Sequence, residues 1–223
     1  MLLVCGGVLA AIMLPAVQQA RTAARLTIST THLHHIGLAA YGFHDVHMEF
    51  PPATDQMPEG TAEHSWQTAL LPFLEQASLY EAIDLTSEWD DPANADAMGT
   101  EVSVYLNPAA AVPTSAYGIS HYAGNEQVLG RTGITIIHIV TNDGASNTIL
   151  AGEVSTGFRP WGDPGKLRDP AAGLGDTPHQ FHGPVFNRTQ FLMADGSVRT
   201  ITDDIDPEIL KALATPDGHE SRH

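Results

Sequence analysis

The first 46 residues constrain the fold more than any other stretch. Met1 to Val17 reads MLLVCGGVLAAIMLPAV, uncharged and almost free of polar side chains. Gln18 to Val46 continues in helical period without a strong break, and Leu33, Ile36, Ala40 and Phe43 recur at the spacing of one helix face. One helix over Leu2 to Val46 is about 67 Å long at 1.5 Å per residue. That is far longer than a bilayer is thick, so its second half must pack against protein. The apolar run has 17 residues, the short limit for a span of roughly 17–25. It lacks the basic n-region of a signal peptide, and its pattern runs past any cleavage point, so a membrane anchor is the expectation. Pro15 kinks or loosens one turn. Ala16, Ala20, Ala23 and Ala24 leave a smooth surface for another helix, with Arg21 and Arg25 on nearby turns. The helix should stop before Phe50-Pro51-Pro52, because a residue preceding proline avoids the α region.

Charge separates this stem from the rest of the chain. The formal net charge is −16, and the excess sits mainly between Pro51 and Gly99, which holds ten carboxylates and no Lys or Arg. Such a field excludes phosphate-backbone binding, which needs clustered cations. The single cysteine, Cys5, rules out an intramolecular disulfide and leaves the redox compartment open.

Behind the stem, 51–62 reads as a loop. His64 to Tyr80 reads as one or two short amphipathic helices interrupted at Pro72, with Trp66, Leu70, Phe73, Leu74 and Leu79 facing the core. Asp90 to Gly99 reads as a loop. The pattern then turns to β. Val102, Val104 and Leu106 alternate, and Ser120 to Ala123 is a short strand. Gly133 to Thr141, GITIIHIVT, is rich in β-branched residues and reads as a strand; Thr148 to Glu153 is its partner across the turn Asn142-Asp143-Gly144. Phe158 to Pro178 is loop. Gln190 to Ile201 is a hairpin closed at Asp195-Gly196. Asp206 can N-cap a last helix that begins with Pro207 and runs to about Ala214. The order is α+β.

These stretches together resemble one family. LPAVQQARTAAR (Leu14–Arg25) and HLHHIGLAAYGFHDVHMEFPP (His32–Pro52) resemble the stem of type IV pilin-like proteins, the group that includes type II secretion pseudopilins. More closely, they resemble bacterial pilin-like proteins whose large C-terminal domain has no assigned function. SWQTALLPFLEQASLY (Ser65–Tyr80), NDGASNTILAGE (Asn142–Glu153), PWGDPGKLRDP (Pro160–Pro170), and MADGSVRTI (Met193–Ile201) with DPEILKALATPDG (Asp206–Gly218) come in order behind it, so the resemblance covers about 9–220. The resemblance implies a basic leader and a prepilin cleavage motif ahead of the helix. Met1 falls inside that helix, so either the true start lies upstream or the member is unprocessed. A Cys-Pro-Ser segment of the family is replaced here by Leu106-Asn107-Pro108-Ala109. Members are sometimes catalogued under a solute-binding label.

No catalytic constellation stands out. His179 and His182 form H-x-x-H in a loop without a third ligand nearby in sequence. His32 with His35, and His44 with His47, are i,i+3 pairs on the stem and read as its solvated or head-facing surface. His138, within GITIIHIVT, reads as a core or edge histidine. Asp143, Asn147, Glu153 and Asp195 sit at turns or strand ends, as Ca²⁺ ligands do, but Asp-Gly turns explain two of them. Ser146 lacks a nucleophile elbow. Trp66 reads as core, while Trp89 and Trp161 could line a ligand groove.

The expectation is therefore a stem over 1–46, with a membrane segment at about 1–17, and a head over 47–220. The head is an antiparallel β-sheet with short helices. The resemblance implies a non-enzymatic, single-pass, membrane-anchored assembly subunit with its head outside the cytoplasm, packing by its stem with copies of itself or other pilin-like subunits. The competing expectations are a tethered solute- or polysaccharide-binding module with a groove near Trp161, and, last, a metal-dependent hydrolase. No cofactor is assigned and no catalytic, cofactor-binding or metal residue is named.

Overall fold

The computed structural model describes residues 2–52 and 63–217, with side chains from Pro15 onward. Helix α1 covers Leu2–His47 and ends ahead of Phe50-Pro51, as the proline rule requires. Met48 closes it in the left-handed conformation at φ 64°. The helix has two regimes. Residues 15–25 are exposed on every side. From Ser29 onward one face is covered, and Leu33, Ile36, Ala40 and Phe43 are buried. Burying each of the larger apolar side chains contributes about 1.5–3 kcal/mol, so this stripe anchors the stem to the rest of the chain. Gly37 allows the closest approach: a Cβ there would lie 2.9 Å from Leu192 Cδ1.

Short elements come next. Helix α2 (Trp66–Leu70) is N-capped by Ser65, whose Oγ accepts from the amides of Gln67 and Thr68. A 3₁₀ turn, Leu71–Leu74, and helix α3 (Ala77–Glu81) continue it. The break falls at Glu75, left-handed at φ 60°, and not at Pro72. Pro72 sits in the opening positions of the 3₁₀ turn, where a missing N–H costs nothing. Trp66 and Leu70 are buried, and Phe73, Leu74 and Leu79 pack partly buried against the same core. The stretch read as loop before Gly99 carries a 3₁₀ turn (Pro92–Asn94) and helix α4 (Ala95–Met98).

The main sheet has five strands in the order β5-β2-β3-β6-β7. These are β2 (Tyr122–Asn125), β3 (Ile149–Glu153), β5 (Leu167–Arg168), β6 (Thr189–Met193) and β7 (Val198–Ile201). A separate ribbon pairs β1 (Ile119–Ser120) with β4 (Arg159–Pro160). The β2–β3, β3–β6 and β6–β7 pairs are antiparallel, but β5 joins β2 in parallel, so the sheet is mixed and not purely antiparallel. Alternation sends neighbouring residues to opposite faces. Tyr122, Leu150 and Leu192 join the core under α1, while Ala123, Ile149, Phe191 and Met193 join a second core with Leu210 of helix α7 (Pro207–Ala214). The β6–β7 hairpin turns at Asp195-Gly196, as its sequence indicates.

Two expected strands are absent. Val102–Leu106 holds a 3₁₀ turn, Ser103–Tyr105, because Tyr105 is drawn into the core and donates to the Gln67 carbonyl at 2.8 Å. GITIIHIVT is helical: α5 (Glu126–Leu129) precedes α6 (Ile136–Asn142). Thr135 caps α6 by accepting from the His138 amide at 3.0 Å. Ile139 is buried while Ile137 and Val140 face outward, a helical and not an alternating pattern. Strand β3 therefore pairs with β2 and β6. The segment 53–62 and the tail from 218, parts of the expected loop and of the head, lie outside the described residues.

The final helix starts as its sequence specifies. Asp206 Oδ1 accepts from the Glu208 amide at 2.9 Å, with Pro207 in the first turn. Asp206→Ala should lower stability by about 1 kcal/mol, read as a shift in the urea midpoint without a change in slope.

Candidate functional site

Two polar constellations distinguish this head. The first locks the stem to the sheet. Ser29, on the covered face of α1, donates to Glu153 Oε1 at 2.5 Å. With its proton used there, the Ser29 oxygen accepts from the Tyr122 hydroxyl at 2.9 Å and from Asn107 Nδ2 at 3.2 Å. Asn107 Nδ2 also donates to Glu153 Oε1 at 2.6 Å, and the Gln190 amide donates to Oε2 at 2.9 Å. All of these side chains are buried. Burial pushes the Glu153 carboxyl above its ordinary value, and the Ser29, Gln190 and Asn107 donors work against that rise. His121, also fully buried, accepts the Asn107 amide on Nδ1 at 2.8 Å, which leaves the ring proton on Nε2.

The second constellation is a cavity of about 260 Å³ on the other side of β2 and β5. Arg159, Lys166, Arg168 and His179 line it together with Phe158 and Leu167. The Lys166 amine donates to the carbonyls of Ser120 and Arg159, both at 2.8 Å. Arg168 donates to the carbonyls of Thr156 and Gln180, clamping the two loop stretches that wall the cavity. Lys166 and Arg168 are buried, and among the described residues neither forms an ion pair. Arg159, by contrast, pairs with a carboxylate, Asp163 at 2.8 Å. Burial, then the Arg168 charge, push the Lys166 amine well below its usual range, and Arg168 itself is lowered to about 10, chiefly by burial. A groove of about 570 Å³ also runs beside α1, between Ile28, His35 and Leu38 on the helix and Leu74, Gln76 and Val104.

The residues considered from sequence disperse. His179 is exposed at the cavity. His182 instead lies between Ser155 Oγ, 3.0 Å from Nδ1, and Asp203 Oδ2, 3.3 Å from Nε2. This resembles a catalytic triad, but Ser155 gives its proton to Asp176 at 2.8 Å. The role of His182 Nδ1 towards that hydroxyl is set by the ring's tautomer. His32 Nδ1 is bonded to the Leu106 carbonyl at 2.9 Å; His44 accepts the Ile136 amide; His47 stacks on Phe43. His138 is on a helix, 2.8 Å from Asp217. Glu153 is inside the lock, Asp195 holds the Ser197 amide and hydroxyl, Asp143 accepts from Thr148, and Asn147 donates to the Asp143 carbonyl. Among the described residues no three metal-ligating side chains converge.

Trp161 itself lines neither of these cavities. Trp161 is fully buried and donates to the Thr100 carbonyl at 2.8 Å. Trp89 packs edge-on against Tyr117. The cation cavity was not legible in advance, since its lysine and arginines read as loop residues of PWGDPGKLRDP. No helix among the described residues is long and apolar enough to cross a membrane. Most of the Met1–Val17 run lies outside the residues whose side chains are described.

A family model with the description "protein of unknown function (DUF1559)" matches residues 18–137. That match takes in the stem from Gln18 onward, the α2–α3 region and the head as far as α6. No curated protein and no solved structure matches the chain.

Proposed function

We propose a role for this chain as a member of the family of proteins of unknown function DUF1559, to which it belongs: a non-enzymatic, membrane-anchored, pilin-like assembly subunit whose head is displayed outside the cytoplasm. The observation that supports it is the division of α1. Residues 15–25 stand clear of the head on every side, while the half from Ser29 onward is packed and locked into it. A helix packed along one stretch and exposed along residues 15–25 offers that exposed stretch to other helices. Ala16, Ala20 and Ala24 lie one turn apart on a single line, with Ala23 beside them, so a second stem can approach to van der Waals distance. The apolar run upstream of them would seat the stem in the bilayer.

The test is direct because these alanines touch nothing in the head. Ala20→Phe with Ala24→Phe should weaken self-association of the full-length chain in detergent or vesicles by about tenfold, while the head's urea unfolding stays unchanged. Undiminished cross-linking of the double variant would overturn the assembly reading.

A further inference from the structure

We propose that the cavity formed by Arg159, Lys166, Arg168 and His179 binds a small carboxylate-bearing molecule. Such binding is independent of how the stem associates.

This is an acidic protein, at −16 overall, yet three cationic side chains converge on one cavity of about 260 Å³. Two of them are buried without a carboxylate partner among the described residues. A charge taken from water costs several kcal/mol unless it is paired. Backbone carbonyls satisfy hydrogen bonds here but carry no full negative charge. The cations also repel one another: Arg168 and Arg159 both oppose the charged form of Lys166, while the Asp163 charge favours it. Asp163 is already engaged by the exposed Arg159 guanidinium. An anion in the cavity relieves both the desolvation and the repulsion.

The free donors and the wall around them together select the kind of anion. Lys166 has three N–H bonds and directs two of them to carbonyls. Both terminal nitrogens of Arg168 are committed to carbonyls. What remains is one lysine proton, the Arg168 Nε–H, the Arg159 N–H groups not directed at Asp163, and the His179 ring. That set can hold the oxygens of a carboxylate, and it is the wall around it that separates a carboxylate on an organic body from inorganic phosphate. The rest of the wall, Ala123, Val154, Phe158, Leu167 and Pro178, is apolar and suits a hydrocarbon or aromatic body on the ligand.

The experiment monitors the thermal unfolding of the full-length chain in detergent at constant ionic strength, with benzoate, phosphate or chloride added. Benzoate should raise the midpoint saturably, and chloride should not. Arg159→Ala and Lys166→Met should each weaken the apparent affinity by about tenfold or more, while Arg199→Ala, an exposed cation on β7, leaves it unchanged. Arg159 is exposed, so its variant decides the matter even where Lys166→Met does not fold. Benzoate-induced amide shifts confined to 157–168 give a second readout. No saturable response, or a response equal in wild type and Arg159→Ala, overturns the site. A stronger response to phosphate than to benzoate overturns the carboxylate assignment.

Discussion

Replacing Glu153 by alanine should destabilise the chain by about 3–5 kcal/mol, the largest single-residue effect expected in this head outside the apolar core. The carboxylate is the common acceptor for Ser29, Asn107 and the Gln190 amide. Its removal leaves those donors buried and without that acceptor, and each unsatisfied group costs about 1–3 kcal/mol. Glu153→Gln keeps the shape and one acceptor oxygen but turns an NH₂ towards existing donors, so it should cost less, about 1–2 kcal/mol. The loss should appear first in α1. Hydrogen exchange of the amides from Ser29 to Phe43 should speed up in Glu153→Ala before the sheet is affected, because the lock is what ties that helix to β2 and β3. Urea unfolding and exchange together check this. Equal acceleration across helix and sheet would mean that Glu153 supports the head globally and is not the stem's lock.

The features readable in advance are those that local chemistry decides. The stop of α1 before a proline pair, the hairpin at Asp195-Gly196 and the Asp206 cap each depend on a few adjacent residues, and each stands where its sequence puts it. The stripe Leu33, Ile36, Ala40 and Phe43 is readable because a helix repeats its faces regularly. GITIIHIVT misleads because a short β-branched run has no decisive period; the Thr135 cap and the burial of Ile139 override its strand propensity. The lock is illegible for another reason. Ser29 and Glu153 are 124 positions apart, and Asn107 is 46 from Glu153. No spacing rule joins them, so Glu153 reads only as a strand-end carboxylate. Lys166 and Arg168 suffer likewise: flanked by Gly and Asp they look solvated, and only the parallel pairing of β5 with β2 carries them inside.

Acidification should weaken the fold through His121 well before general acid denaturation begins. The ring is fully buried, and burial, reinforced by the Lys166 charge, lowers its pKa from 6.5 to about 4. Between those values the unfolded chain holds a proton that the folded chain refuses. The unfolded state then binds more protons, and stability falls as pH drops through that window. A gap of about 2.5 pH units at about 1.36 kcal/mol each corresponds to a loss of about 3 kcal/mol. Burial lowers His32 and His64 too, so they add to the same slope. Glu153 acts in the opposite sense. Its raised pKa means that the folded state keeps a proton the unfolded state has lost, so its contribution falls as pH rises from 4.5 through its raised value. The carboxylates lowered by local hydrogen bonds, Asp84 and Asp217, matter only as pH nears and passes below their ordinary 3.8. Urea unfolding from pH 7.5 down to 4.5 therefore isolates the histidines against Glu153. His121→Asn, whose amide oxygen can still accept the Asn107 N–H, should flatten the decline by most of the His121 share. Glu153→Gln should steepen it, by removing the opposing contribution. A decline of unchanged slope in His121→Asn would show that the ring takes up its proton as readily in the folded head as in the unfolded chain, so that its burial does not drive the acid sensitivity.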